Sequence, residues 1–138
     1  MNGSPFTRRE LCEFDICLLK TFGGYKGCVV LIDCFTKYLW YCNIKSKLKP
    51  EVLKALKQII SQSGPFARSL SDGELIYTND FWESKNTYYH ALKKTQHPSF
   101  IEVAQRSIKQ RIYSYLRQAH SSDWTKVIKG TTTKVSVI

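Results

Sequence analysis

Acidic side chains are scarce in this 138-residue chain: 11 Asp and Glu stand against 21 Lys and Arg, a formal net charge of +10. So basic a chain suits a polyanionic partner, nucleic acid or an acidic membrane surface. No apolar run reaches the length of a membrane-spanning helix, which argues against a membrane anchor within the sequence. The first ten residues, Met1 to Glu10, are polar and lack the apolar centre of a secretory signal. There is no Cys-x-x-Cys, and His90, His97 and His120 do not combine with the cysteines at zinc-finger spacing, so no structural zinc site is expected. Cys12, Cys17, Cys28, Cys34 and Cys42 are odd in number and sit in apolar, strand-like contexts. They read as reduced, buried, small hydrophobes of an intracellular protein. Internal repeats and low-complexity segments are also lacking, which excludes a solenoid.

What is present is a folding sequence. Hydrophobic residues make up 43% and aromatics 13%, enough for one core in one domain. The expected organisation is a flexible segment over 1–10, a domain over 11–129 and a linker-like tail over 130–138. Leu11 to Lys20 reads as a first strand, ended by the turn signal Gly23-Gly24. Tyr25 to Phe35 holds the run Cys28-Val29-Val30-Leu31-Ile32, as a central strand would. Lys37 to Ile44 gives a third strand, and the short connections imply an antiparallel meander.

Pro50 suits the first turn of a helix that carries Val52, Leu53, Leu56, Ile59 and Ile60 at helical spacing and closes at Gly64-Pro65. Phe66 to Ser71 is then a short strand, parallel because a helix crosses over before it. Residues 73–86 read as loop or short helix, Tyr88 to Lys94 as a short helix. A long helix is expected from Pro98 to Ala119, with Ile101, Ala104, Ile108, Ile112, Tyr115 and Ala119 as its apolar stripe. Ser121-Ser122-Asp123 looks like a cap for another helix over Trp124 to Ile128. Strand, strand, strand, helix, strand, helices is the ribonuclease-H-like order. The expected fold is α/β: a mixed five-stranded sheet with helices on both faces.

Within that frame three acids stand where carboxylates look out of place. Asp15 interrupts the apolar run Phe14-Asp15-Ile16-Cys17-Leu18-Leu19. Asp72 follows a short strand and opens the turn Asp72-Gly73, and Glu102 lies in the first turns of the long helix. A strand acid, a strand-end acid and a helix acid can converge at one point of an α/β fold. Converging carboxylates are what Mg²⁺ needs, since it takes oxygen ligands. Each acid also has a plainer reading: Asp15 as a strand-edge charge, Asp72 as a turn former, Glu102 as a partner of the helix dipole. Asp33 reads as a hydrogen-bonded turn residue, with an extra ligand as the lesser alternative, and a role for Glu74 in assisting near the metals is likewise the lesser reading of that residue. On the long helix Arg106, Lys109, Tyr113 and Arg117 share a face with Glu102. That face is solvated or meets DNA. Tyr113 reads as packing on a neighbour, and Trp40, Trp82 and Trp124 as anchors in the core or loops.

Four stretches together carry a family resemblance: Phe14-Asp15-Ile16; residues 25–38, with Ile32-Asp33-Cys34-Phe35-Thr36-Lys37-Tyr38 at their end; Leu70-Ser71-Asp72-Gly73-Glu74; and Ser99-Phe100-Ile101-Glu102 on to Lys109. In their order and spacing, from about Phe14 to Ile128, the chain resembles the catalytic core of retroviral-type integrases, most closely those of Maverick/Polinton transposons. The resemblance implies that Asp15, Asp72 and Glu102 are catalytic metal ligands for Mg²⁺ or Mn²⁺. It implies that Arg106, Lys109 and Arg117 bind nucleic acid. The implied activity is DNA integration: 3′-end processing by water, then strand transfer of that 3′-OH into target DNA. No protein nucleophile is needed, which accords with the lack of a Ser-His or Cys-His pair.

The chain also departs from the family pattern. Only 29 residues separate Asp72 from Glu102, fewer than usual; Gly73 follows Asp72 directly; Val103 and Gln105 replace an arginine and an asparagine. No zinc domain precedes the core in this sequence and no C-terminal DNA-binding domain follows, as in a truncated or decayed copy. The alternative is therefore a catalytically inactive, transposon-derived nucleic-acid-binding remnant. A ribonuclease H or structure-specific nuclease is a third reading. The implied partners are DNA and other copies of the chain, as a homodimer or higher homo-oligomer, with no membrane. The implied location is the host-cell nucleus.

Overall fold

The structure, a computed structural model, describes residues 8–93, 99–125 and 135–137. It begins with the expected meander. Strand β1 (Arg9–Phe22) turns at Gly23-Gly24 into β2 (Tyr25–Asp33), and β3 (Leu39–Ile44) follows, all antiparallel. Both turn glycines have positive φ, 60° and 84°, which two-residue hairpin turns of matching twist require. From Val29 to Ile32, β2 is buried on both faces, as its unbroken apolar run demands. Gly27 is needed where β2 crosses β1, because a Cβ there would stand 2.2 Å from the Cys17 carbonyl oxygen.

Helix α1 (Lys49–Ser63), with Pro50 in its first turn, crosses over and delivers β4 (Phe66–Asp72) parallel to β1. A short 3₁₀ helix (Gly73–Thr78), kinked at Leu75, and helix α2 (Asn79–Ser84) lead to β5 (Tyr88–Leu92). Helix α3 (Ser99–Ala119) and a last strand, β6 (Val135–Val137), complete the described elements. The sheet order is β5-β4-β1-β2-β3-β6, mixed in direction.

Two apolar layers flank this sheet. On one face Phe14, Val29, Leu31 and Trp40 pack with Leu56, Ile59 and Trp82 from the α1 and α2 side. On the other, Cys17, Val30, Ile32 and Tyr41 pack with Ile101, Ile108 and Ile112 of α3 and with Trp124. Helices therefore lie on both faces, as expected. All five cysteines are free and buried, and Trp40, Trp82 and Trp124 are all core residues.

The structure corrects the sequence reading in several places. The segment expected as a short helix after Tyr88 is strand β5, paired in parallel with β4. The vacant edge of β4 offers a full ladder, whereas so short a helix would form few bonds against its nucleation cost. The Tyr89 hydroxyl then bonds Ser71 Oγ and the Leu75 carbonyl, fixing the strand to the turn after β4. A sixth strand lies where a linker-like tail is expected: Val135–Val137 pairs in parallel with β3. Strand β1 begins at Arg9, inside the segment expected to be flexible. On α3 the stripe drifts toward Leu116, and Tyr115 is exposed. Tyr113 is exposed rather than packed. Most of the helix expected over Trp124 to Ile128 lies outside the described residues. Among the described residues no helix is long and apolar enough to cross a membrane.

Candidate active site

Alternation along β1 sets up the site. Phe14 and Ile16 face the α1 layer, while Glu13, Asp15 and Cys17 face α3. In the parallel pairing with β4, Leu11 stands opposite Arg68 and Glu13 opposite Leu70. The same offset brings Asp15 level with Asp72. Strand β4 stops there, but β1 runs on to Phe22, so its edge beyond Asp15 has no β4 partner. A cleft of about 250 Å³ opens at this edge, lined by Asp15, Asp72, Glu74, Lys47, Leu75 and Tyr77 among others.

Asp15 is held at both oxygens. Its Oδ1 accepts the Ile16 backbone N–H at 2.7 Å, and its Oδ2 accepts the Gln105 side-chain amide of α3 at 3.0 Å. Burial raises its pKa, and the charges of Asp72 and Glu74 add to that rise, against the two hydrogen bonds. Negative charge is thus concentrated here, with the three carboxylates in one cleft. Asp72 Oδ1 accepts the Glu74 backbone N–H at 3.1 Å and caps the 3₁₀ helix. The turn role and the place beside Asp15 coexist in that one side chain.

Glu102 lies on α3 one turn before Gln105 and is exposed; it is not among the residues lining the cleft. Among the described residues no three His, Cys, Asp or Glu side chains lie close enough to hold one metal ion. Asp15, Asp72 and Glu74 share the lining of one cleft, and Glu102 stands on α3 outside that lining. Of the basic residues on α3, Arg106 and Arg117 are exposed. Lys109 is half-buried near the Cys17–Cys28 pair; the Cys17 thiol's pKa is lowered first by its hydrogen bond with Cys28 and then by the Lys109 ammonium. Asp33 is a turn residue, as expected: Oδ1 accepts from Phe35 and Thr36, and Oδ2 pairs with Arg9 at 2.8 Å.

Sequence reasoning did not find Glu13. It is buried on β1, and its Oε1 accepts the Ile101 backbone N–H at 3.0 Å, satisfying a donor in the first turn of α3. With Asp15–Gln105 this makes two side-chain bonds between β1 and the start of α3. The available signal was spacing: Glu13 is two residues before Asp15, hence on the same strand face. Gln105 stood out only as a departure from a pattern. Its place three residues after Glu102 was the signal that it shares that side of the helix.

No family model and no curated protein matches the chain. Solved structures do match. The HTLV-2 integrase catalytic core domain in complex with magnesium superposes in its trimeric form with a TM-score of 0.70 at 19% identity, covering 88% of this chain and 80% of that one. Its dimeric form gives 0.71 at 18% identity, covering 88% and 81%. A simian T-cell lymphotropic virus intasome in complex with a PP2A regulatory subunit gives 0.74 at 15% identity, covering 84% of this chain and 44% of that one. At these identities the likeness is one of fold: the chain has the ribonuclease-H-like fold of retroviral integrase cores.

Proposed function

We propose that this chain is the catalytic domain of a retroviral-type integrase of transposon origin, nearest in kind to the Maverick/Polinton integrases, acting on DNA. The observation that carries the reading is the placement of Asp15, within β1, level with Asp72 at the end of the adjacent parallel strand β4, in one cleft. The residues present suit a hard divalent cation: Mg²⁺ takes oxygen ligands, commonly one or two protein carboxylates besides water and phosphate oxygens. A cleft in which burial and the charges of Asp72 and Glu74 raise the pKa of Asp15 is one that a cation would relieve. Mg²⁺ or Mn²⁺, when bound, supplies Lewis-acid chemistry, making a hydroxyl a better nucleophile and neutralising charge on the phosphate.

The chain's own residues do the positioning. Asp15 and Asp72 would hold the ion. The Ile16 N–H and the Gln105 amide fix the Asp15 carboxylate, and the Glu74 N–H fixes Asp72. Glu13 anchors the start of α3, and with it the placing of Gln105 and Glu102. Glu102 would complete the ligand set once ion and DNA draw the acids together. Arg106, Lys109 and Arg117 would contact phosphates. DNA end trimming and joining, a homodimer or larger assembly, and a nuclear location complete the proposal. In its support, the fold neighbours include magnesium-bound integrase cores and an intasome.

A second reading, an inactive nucleic-acid-binding domain of the same fold, is favoured by one observation: no three acids close on a point among the described residues. A labelled oligonucleotide incubated with Mn²⁺ and resolved on a denaturing gel separates the two. The parent should give shortened and joined products, and Asp72→Asn essentially none, because the substitution removes a charge from the metal cluster while keeping its shape. Equal products from both proteins would assign the activity elsewhere. Salt-sensitive DNA binding by both, with no products from either, would select the inactive domain.

A further inference from the structure

The carboxylate cleft has a basic bank that the α3 residues do not supply. Lys47 lines it, between β3 and α1, and among the described residues it forms no ion pair with Asp15, Asp72 or Glu74. It belongs to the run Lys45-Ser46-Lys47-Leu48-Lys49, whose three lysines are all exposed. The Tyr77 hydroxyl, across the cleft, reaches the Lys47 carbonyl at 3.5 Å, so this connection is seated against the 3₁₀ helix after Asp72. The Glu51 carboxylate accepts the Lys45 backbone N–H at 3.1 Å, which ties the other end to α1. Leu48, between two of the lysines, is 70% exposed.

A polyanion approaching this cleft meets three carboxylates. At physiological salt charges act over about 8 Å, so the cations that offset those carboxylates must stand at the rim. Helix α3 lies over the sheet face that carries Asp15. The 45–49 connection leads into α1, over the opposite face. The two basic surfaces therefore flank the free edge of β1 from either side.

We infer that Lys45, Lys47 and Lys49 form a second phosphate-binding wall, so that a DNA strand lying along the free edge of β1 is held between this connection and α3. The inference rests on the DNA reading above and deepens it. Leu48, apolar and exposed between Lys47 and Lys49, suits the sugars and base edges of that strand.

Fluorescence anisotropy with a short duplex, titrated at several salt concentrations, tests it on the full chain. Each lost phosphate contact lowers the slope of log affinity against log salt by about 0.9. The combined variant Lys45→Ala, Lys47→Ala, Lys49→Ala should lose about 2.7. A control with the same charge change at exposed cations away from that edge, Lys57→Ala, Arg68→Ala, Lys85→Ala, should lose little. Thermal melting of each variant verifies that it is folded. An equal loss in the control would reduce the effect to net charge and overturn the inference. So would an unchanged slope in the Lys45/Lys47/Lys49 variant while Arg106→Ala, Lys109→Ala, Arg117→Ala loses slope, an outcome that leaves the DNA reading standing. No binding by the parent at any salt would end both.

Discussion

Asp15 shows how one residue can be costly to a fold and useful to a site. Burial first, then repulsion from Asp72 and Glu74, raises its pKa above the ordinary value of 3.8. A carboxyl raised in the folded state contributes stability below its unfolded pKa and loses that contribution as pH rises through the folded value. Its ionised form at neutral pH therefore strains the folded state. Between about pH 3 and pH 7, the parent should lose stability relative to Asp15→Asn, a trend that chemical denaturation at a series of pH values would follow. A constant difference across that range would mean that the carboxylate feels no such environment. Asp33 titrates the other way: despite burial, the Phe35 N–H, Arg9 and the Thr36 N–H hold its pKa down. Its stabilisation is present above the unfolded value and is lost as pH falls through the lowered one. Both acids occur in apolar runs, and sequence separated them correctly: Asp33 as a turn residue, Asp15 as the anomaly. What it could not supply was Asp15's partner, because Gln105 is 90 residues away and its amide is ordinary in composition.

At the scale of elements, the meander, α1, β4 and α3 were legible because each carries a period or a breaker: Gly23-Gly24, Pro50 and Gly64, the isoleucines of α3. Strand β5 was not, because its identity comes from the vacant edge of β4 rather than from its own five residues. Strand β6 likewise depends on the edge of β3. The attachment of α3 to β1 was equally invisible, since a buried glutamate bonding a backbone N–H leaves no pattern in sequence. That attachment gives a prediction. Glu13→Ala strips the partner from a buried donor and should cost about 1–3 kcal/mol; Glu13→Gln, which keeps a carbonyl acceptor, should recover much of it. Urea denaturation reads both. If Ala and Gln behaved alike, within about 0.5 kcal/mol of the parent, the bond to Ile101 would have no hold on the helix.

For the whole molecule, fold and charge agree. A basic domain of integrase-core architecture presents its sheet edge, between two helical layers, at the point where paired aspartates meet. Sequence reading groups Asp15, Asp72 and Glu102; the residues lining the cleft include Asp15, Asp72 and Glu74. Helix α3 enters from the segment 94–98, which lies outside the described residues, so the spacing from Asp72 told less about convergence than the two anchoring bonds do. The proposed function therefore requires Asp15 and Asp72 to form one divalent-cation site. Calorimetric titration of Mn²⁺ into the parent, Asp15→Asn, Asp72→Asn and Glu102→Gln measures this directly. The expected result is a saturable binding event in the parent, lost or weakened at least about tenfold, roughly 1.4 kcal/mol, in either aspartate variant. Glu102→Gln should weaken it less without DNA than with it. Undiminished Mn²⁺ binding in both aspartate variants would contradict the account.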